Sequence, residues 1–244
     1  MKKRLVSAIL ASVLVFSSLT GCSAFDKKGG SSSSSVEKTD EELVQESSDE
    51  VMRYCKNAEY NSIVKVVDSS AKKDFANLNP EKNTKEFYKA IGYNIENKLD
   101  DTVKSKVLDF WTSIQKDMIK SYKVKKVKVN GKTAQVRYSV KYAFTQAELV
   151  KSVQDETVTN EFKAECEQYG KDHAEEVTKI YQEQGEEGLY QKIFNDILPS
   201  YIDKLTAKYN EDKSSYEGKE YLFVLELKYK NGKWVVTSLK SNDH

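Results

Sequence analysis

Residues 122–142 read YKVKKVKVNGKTAQVRYSVKY, and their alternation decides the fold class. Tyr122, Val124, Val127 and Val129 lead into Asn130-Gly131, after which Ala134, Val136, Tyr138, Val140 and Tyr142 follow with a period of two. Side chains two apart on an extended chain share a face, so each run has one apolar face and one wet face. Asn and Gly both tolerate the positive φ that a type I′ turn needs, so the spacing predicts a β-hairpin over about 121–144. The lysines in Tyr122-Lys123-Val124-Lys125-Lys126-Val127-Lys128 read first as solubility and edge protection, and second as a stripe for a polyanion.

Working outward, a second hairpin follows the same rule. Tyr221, Phe223, Leu225, Leu227 and Tyr229 alternate, Asn231-Gly232 turns the chain, and Trp234 to Leu239 return. Before the first hairpin the period is helical. Thr39-x-x-Glu42 is a capping box, and Leu43, Val44, Val51, Met52 and Cys55 predict a helix over about 40–56. Tyr60, Ile63, Val64 and Val67 form a second short stripe. Asn77 to Thr84, containing Pro80, reads as a loop. Phe87, Tyr88, Ile91, Ile95 and Leu99 predict a third helix, and Val103, Val107, Phe110, Trp111, Ile114 and Met118 a fourth.

Between the hairpins, about 145–210, lies a long helical insertion. Thr145-x-x-Glu148 caps its start, and Phe162, Cys166, Tyr169, His173, Val177, Ile180 and Tyr181 make a stripe that Gly185 and Gly188 interrupt. Leu189, Ile193, Phe194 and Ile197 continue it up to Pro199, a kink or the first turn of a new helix. Four strands with one apolar face need helices to cover them. The expected class is therefore α+β: N-terminal helices packed on a four-stranded antiparallel curved sheet, with the insertion lying across the sheet as a lid in a single domain over 39–244.

The first 22 residues carry a different message. Met1 to Arg4 is basic and Leu5 to Phe16 is apolar for about a dozen residues, the length of a signal h-region and short for a membrane span. Leu19-Thr20-Gly21-Cys22 resembles the lipobox of bacterial lipoproteins. That resemblance implies a signal peptide over 1–21, cleavage between Gly21 and Cys22, a diacylglyceryl thioether on Cys22, and an extracytoplasmic, lipid-anchored chain whose membrane partner is reached through that lipid. Acyl chains bury methylenes at roughly 0.8 kcal/mol each, enough for stable anchoring. Residues 22–38, with Gly29-Gly30 and Ser31 to Ser35, read as a flexible tether of roughly 20 Å reach.

The segments Cys55-Lys56-Asn57-Ala58-Glu59-Tyr60 and Tyr229-Lys230-Asn231-Gly232-Lys233-Trp234-Val235-Val236, set in helices followed by a sheet of hairpins, resemble the cystatin-like, or nuclear transport factor two-like, domains of Gram-positive lipoproteins. The resemblance covers about residues 40–144 and 215–240. It implies a cone-shaped fold with a concave sheet face, and it implies no chemistry, because such domains serve as enzymes, ligand binders and interaction modules alike.

Composition narrows the function classes. Formal charge is +1, and without Lys2, Lys3 and Arg4 there remain 36 basic against 38 acidic residues, about -2. Nucleic acid is therefore not the expected partner. Hydrophobic residues at 39% suffice for a core, while a mean hydropathy of -0.67 describes a well-solvated surface.

Two histidines occur; His173 reads as a packing residue on an apolar stripe and His244 is terminal. No second histidine stands at helical spacing from His173, no phosphate or dinucleotide loop occurs, and no cofactor or metal is expected. Cys55 and Cys166 read as buried free thiols, with a disulfide between them as the other reading. Tyr138, Tyr142, Tyr221, Phe223 and Tyr229 are the candidate pocket on the concave sheet face, with plain core packing as the competing reading. The expected role is a non-catalytic, surface-anchored binding or interaction module for a protein or small-molecule ligand. The alternatives are an enzyme using the sheet cleft and a structural protein of the cell envelope.

Overall fold

The computed structural model describes residues 38–91 and 98–243. The lipobox with Gly21 and Cys22, nearly all of the tether, Ile95 and His244 lie outside the described residues. The described ones divide into two compact units, one of helices from 81–91, 98–113 and 144–216, and one holding the sheet, from 38–80, 114–143 and 217–243.

In the sheet unit, helix α1 (Asp40–Lys56) begins where the capping box places it. The Thr39 side chain accepts from the Glu42 amide, while the Glu42 carboxylate accepts from the Thr39 amide. Val44, Ser48, Val51, Met52 and Cys55 are buried along one stripe. Ala58 at φ +59° ends the link to the short helix α2 (Tyr60–Val66), and a 3-10 turn follows over Lys72–Leu78.

Four strands, β1 (Ile119–Asn130), β2 (Thr133–Tyr142), β3 (Lys219–Lys230) and β4 (Lys233–Asp243), form one antiparallel sheet in the order β1-β2-β3-β4. The fold is α+β, with N-terminal helices, two hairpins and a long helical segment between them. One sheet face buries Val136, Tyr138, Val140, Phe223, Leu225, Leu227, Trp234 and Val236. Helix α1 meets that face: Tyr138 bonds to Ser48 and Asp49, and Trp234 Nε1 donates to Asp40 Oδ1 at 3.4 Å.

The two Asn-Gly turns differ. Lys230 pairs with Lys233, so Asn231-Gly232 is the loop, at φ +51° and +81°, the expected type I′ pattern. In the first hairpin Asn130 pairs with Thr133, and the loop is Gly131-Lys132, with positive φ at Gly131 alone. That is the type II′ pattern, one residue later than the spacing predicts. The observed register sets Val129 opposite Ala134 and Val127 opposite Val136. A turn centred on Asn130-Gly131 would face Val129 with Lys132 and lose an apolar cross-strand pair.

Pro80, the last residue of the 38–80 stretch of the sheet unit, opens helix α3 (Pro80–Ala90) instead of sitting in a loop, and the rest of α3 belongs to the helical unit. The first helical position needs no amide proton, and the ring presets φ. Helix α4 (Asp101–Met118) carries Phe110 and Trp111, whose rings meet edge-on at 5.1 Å, with Phe87 6.2 Å from Trp111. Its last turn belongs to the sheet unit. Helix α5 (Gln146–Val153) starts with the Thr145–Glu148 capping box, and Asp155 caps helix α6 (Glu156–Asp172).

Helix α7 (Ala174–Asp212) is interrupted at Gly185, at φ +70° and ψ -166°. Gly188, expected to share the interruption, is helical, and Pro199 lies inside a helix that continues past it to Asp212. The helix breaks at His173 without reversing and the stripe folds back at Gly185, so that Tyr169 meets Asp196 and Glu176 pairs with Lys192 at 3.6 Å. Phe162 packs on Tyr201 at 4.3 Å between ring centres, and Ile193, Phe194, Ile197, Ile202 and Leu205 are buried.

Candidate ligand groove

Helix α1 buries its apolar stripe against the sheet, and that rotation leaves the adjoining flank, Glu46, Ser47, Asp49, Glu50 and Arg53, beside strand β1. Tyr122 and Val124 of β1 point to the same side, because both belong to the run of half-buried alternating residues. Together these seven residues line an open groove of about 790 Å³.

Buried hydrogen bonds hold its floor. Tyr138, 0% exposed, donates from its hydroxyl to Asp49 Oδ1 at 2.7 Å and lies 2.6 Å from Ser48 Oγ. Burial, reinforced by the Asp49 charge, pushes the Tyr138 phenol well above its ordinary value, so it remains a neutral donor. Ser48 Oγ also lies 2.9 Å from the Gln45 carbonyl, so its single proton is shared between that carbonyl and the Tyr138 oxygen. The Tyr122 ring stands edge-on to Tyr138 at 5.9 Å, and burial raises its phenol too.

On the rim, Tyr54 donates to Glu50 at 3.0 Å, and the Arg53 guanidinium lies 4.4 Å over the Tyr54 ring. Lys38 pairs with Glu46 at 2.5 Å. The groove thus offers fixed carboxylates, a guanidinium and a phenol edge, a set suited to hydrogen-bonding a polar ligand that carries positive charge.

The candidate pocket residues are placed less compactly than expected. Tyr142 and Tyr221 meet at 4.8 Å, and Tyr142 lies 6.1 Å from Phe223. Tyr138 sits on the same face, under helix α1. Tyr229 stands apart beside the second turn, 39% exposed, edge-on to Trp234 at 5.4 Å. None of them lines the groove; Tyr138 bonds from beneath to Asp49, which does. Asp49, Glu50 and Arg53 carry no local signal in the sequence that sets them apart from the other charged residues of an amphipathic helix.

A second polar cluster, in the helical unit, also lay beyond sequence reasoning, since its members are about 60 residues apart. Ser152 Oγ donates to Asp212 Oδ2 at 2.5 Å and shares a hydrogen bond with the Tyr216 hydroxyl, and Lys208 Nζ lies 2.9 Å from Asp212 Oδ1. The Ser152 bond, then Lys208, holds the Asp212 carboxyl below its ordinary range. Ser152 is 1% exposed, so its hydroxyl ties the end of α5 to the end of α7 beneath the surface.

His173 is exposed, not packed on a stripe as expected. It links α6 to α7 with its ring stacked on Tyr169 at 4.2 Å, because the helix breaks there and turns the ring outward. Cys55 and Cys166 are free thiols; burial pushes Cys55 up to about 12, and burial with Glu165 raises Cys166 to about 11. Among the described residues no helix is long and apolar enough to cross a membrane, and no group of three His, Cys, Asp or Glu is placed to hold a metal. Compared with known proteins, the chain matches no family model, no curated protein and no solved structure.

Proposed function

We propose that the chain is an extracytoplasmic lipoprotein, anchored through Cys22, whose sheet unit is a non-catalytic binding module with the α1–β1 groove as its ligand site. The observation that carries the binding reading is the Tyr138–Asp49–Ser48 set: a buried phenol, itself outside the groove, fixes a carboxylate that lines it before any ligand arrives. Such preorganisation lowers the ordering cost of binding. The anchoring half rests on Leu19-Thr20-Gly21-Cys22 behind a basic and apolar leader.

The binding half is tested by placing a photo-crosslinking residue at Glu50, in the groove, and at Lys72, on the 3-10 turn, in intact cells. The expected result is an adduct from position 50 that Arg53→Ala and Asp49→Asn suppress, with none from position 72. Equal labelling at both positions, or adducts indifferent to Arg53 and Asp49, would overturn it. The anchoring half predicts incorporation of a palmitate analogue into the unsubstituted chain and its loss in Cys22→Ser. Labelling that survives Cys22→Ser would end that reading.

A further inference from the structure

The wet face of β1 and β2 carries a segregated charge. Lys126 pairs in register with Arg137, Lys123 with Ser139, Ser121 with Lys141 and Lys128 with Gln135. A bulge between Val124 and Lys126 leaves Lys125 without a partner on β2. The bulge shifts the alternation by one, so Lys126 joins Lys123 and Lys128 on the face opposite Tyr138, next to Arg137 and Lys141. Lys123, Lys126, Lys128 and Lys141 are exposed.

No carboxylate forms a salt bridge with any of these five cations among the described residues. On the neighbouring strand, Glu226 is taken up by Lys240 at 2.8 Å and Ser238 at 3.0 Å, while Glu220 accepts from Ser139 and stands opposite Lys141 in register. Edge protection explains lysines on β1, the outer strand. It does not explain Arg137, which stands on an inner strand between Lys126 and Val224; Lys141 has Glu220 opposite it.

We propose that this face docks on the anionic headgroup surface of the membrane to which the chain is tethered. The inference rests on the Cys22 anchoring reading for its geometry. With residues 22–38 read from their composition as a tether of roughly 20 Å, the sheet unit would stay near the lipid, where a lysine cluster without salt bridges is attracted within a Debye length of about 8 Å. Lys123 to Lys128 spans roughly 16 Å of extended strand, a broad row matched to a plane of headgroups. The mature chain is near neutral overall, so this attraction is local to the face and orients the unit on the membrane.

The test uses the chain from residue 22 onward, which holds every described residue, carrying Cys22→Ser and therefore no lipid. It is sedimented with vesicles of phosphatidylglycerol and phosphatidylcholine in equal parts, and with phosphatidylcholine alone. The expected result is binding to the anionic vesicles only, weakened with rising salt and lowered on the order of a hundredfold by K123Q/K126Q/K128Q. K65Q/K72Q/K73Q, the same charge change at exposed lysines elsewhere in the sheet unit, should bind as the parent does, and both triple variants should keep the parental urea midpoint. Equal loss in the two triple variants, no binding by the parent, or tighter capture by soluble heparin than by vesicles would overturn the proposal. Palmitate labelling of the full chain reads the anchoring separately, so a failure of the docking face and a failure of the anchor give different results.

Discussion

Tyr138 is the residue on which the sheet unit's polar chemistry turns. Its hydroxyl is buried between Ser48 and Asp49, so Tyr138→Phe leaves a buried serine with one partner fewer and frees the Asp49 carboxylate. The expected cost is about 1–2 kcal/mol in urea unfolding, with loss of the groove-dependent crosslink. A parental midpoint would show that these bonds contribute nothing to stability.

Asp68 answers a different question, that of acid stability. Its carboxylate accepts from Lys230 at 2.6 Å and from the Ser70 amide and hydroxyl at 3.1 and 2.8 Å, and these bonds, Lys230 first, hold it well below the ordinary carboxylate range. A group depressed in the folded state contributes stability that is complete above its unfolded value and is lost as pH falls through that value towards the folded one. Asp68→Asn removes this contribution, so urea midpoints measured from about pH 7 to about pH 3 should fall less steeply than in the parent. Glu226, depressed first by Lys240, should leave some slope in the variant. An acid limb identical to the parent's would contradict the assignment.

At the scale of elements, turns and caps decide where strands and helices begin. Gly218, at φ +69°, precedes β3, and a Cβ there would lie 2.2 Å from the Tyr142 carbonyl oxygen. Neither the backbone angle nor the neighbouring backbone can yield, so Gly218→Ala should cost on the order of 3 kcal/mol or more. Gly131, at φ +56°, has open space around it, and Gly131→Ala should cost only about 1–2 kcal/mol, the steric penalty of the left-handed region. Urea midpoints of the two variants compare them directly, and the reverse order would refute the account. Thr145→Ala removes the side-chain half of the α5 capping box, the acceptor for the Glu148 amide, while the residue 145 amide can still donate to Glu148; urea unfolding should show a cost of about 1 kcal/mol.

For the whole molecule the question is whether the two units unfold as one. Helix α4 belongs to both, carrying Trp111 in the helical unit and Ile114 and Met118 in the sheet unit, all buried. A continuous helix cannot melt in its first turns without weakening its last. Ile193→Asp places an unpaired charge at a buried position of the helical unit and should cost several kcal/mol, roughly the scale of a buried uncompensated group. The expectation is that the urea midpoint falls by the same amount at Trp111 and at Trp234, each followed with the other tryptophan replaced by Phe. A midpoint unchanged at Trp234 would mean that the helical unit folds separately and that the single-domain expectation is wrong.

What the sequence by itself determined were the features written in local spacing. The alternation of residues 122–142 and 221–239, the capping boxes at Thr39 and Thr145, and the 3.6-residue stripe of α1 all rest on interactions within a few residues, which a linear reading captures. Tertiary structure decided whatever depends on partners distant in sequence. The first turn moved by one residue because Val129 gains Ala134 as a cross-strand neighbour, and Pro80 became the start of a helix, not the middle of a loop. The groove appeared because the rotation of α1 over the sheet, set by burial of Val44, Ser48, Val51, Met52 and Cys55, carries Asp49 and Arg53 to the side of Tyr122. Charged residues on a helix look alike in sequence whether they face open water or a neighbouring strand, and only packing distinguishes them.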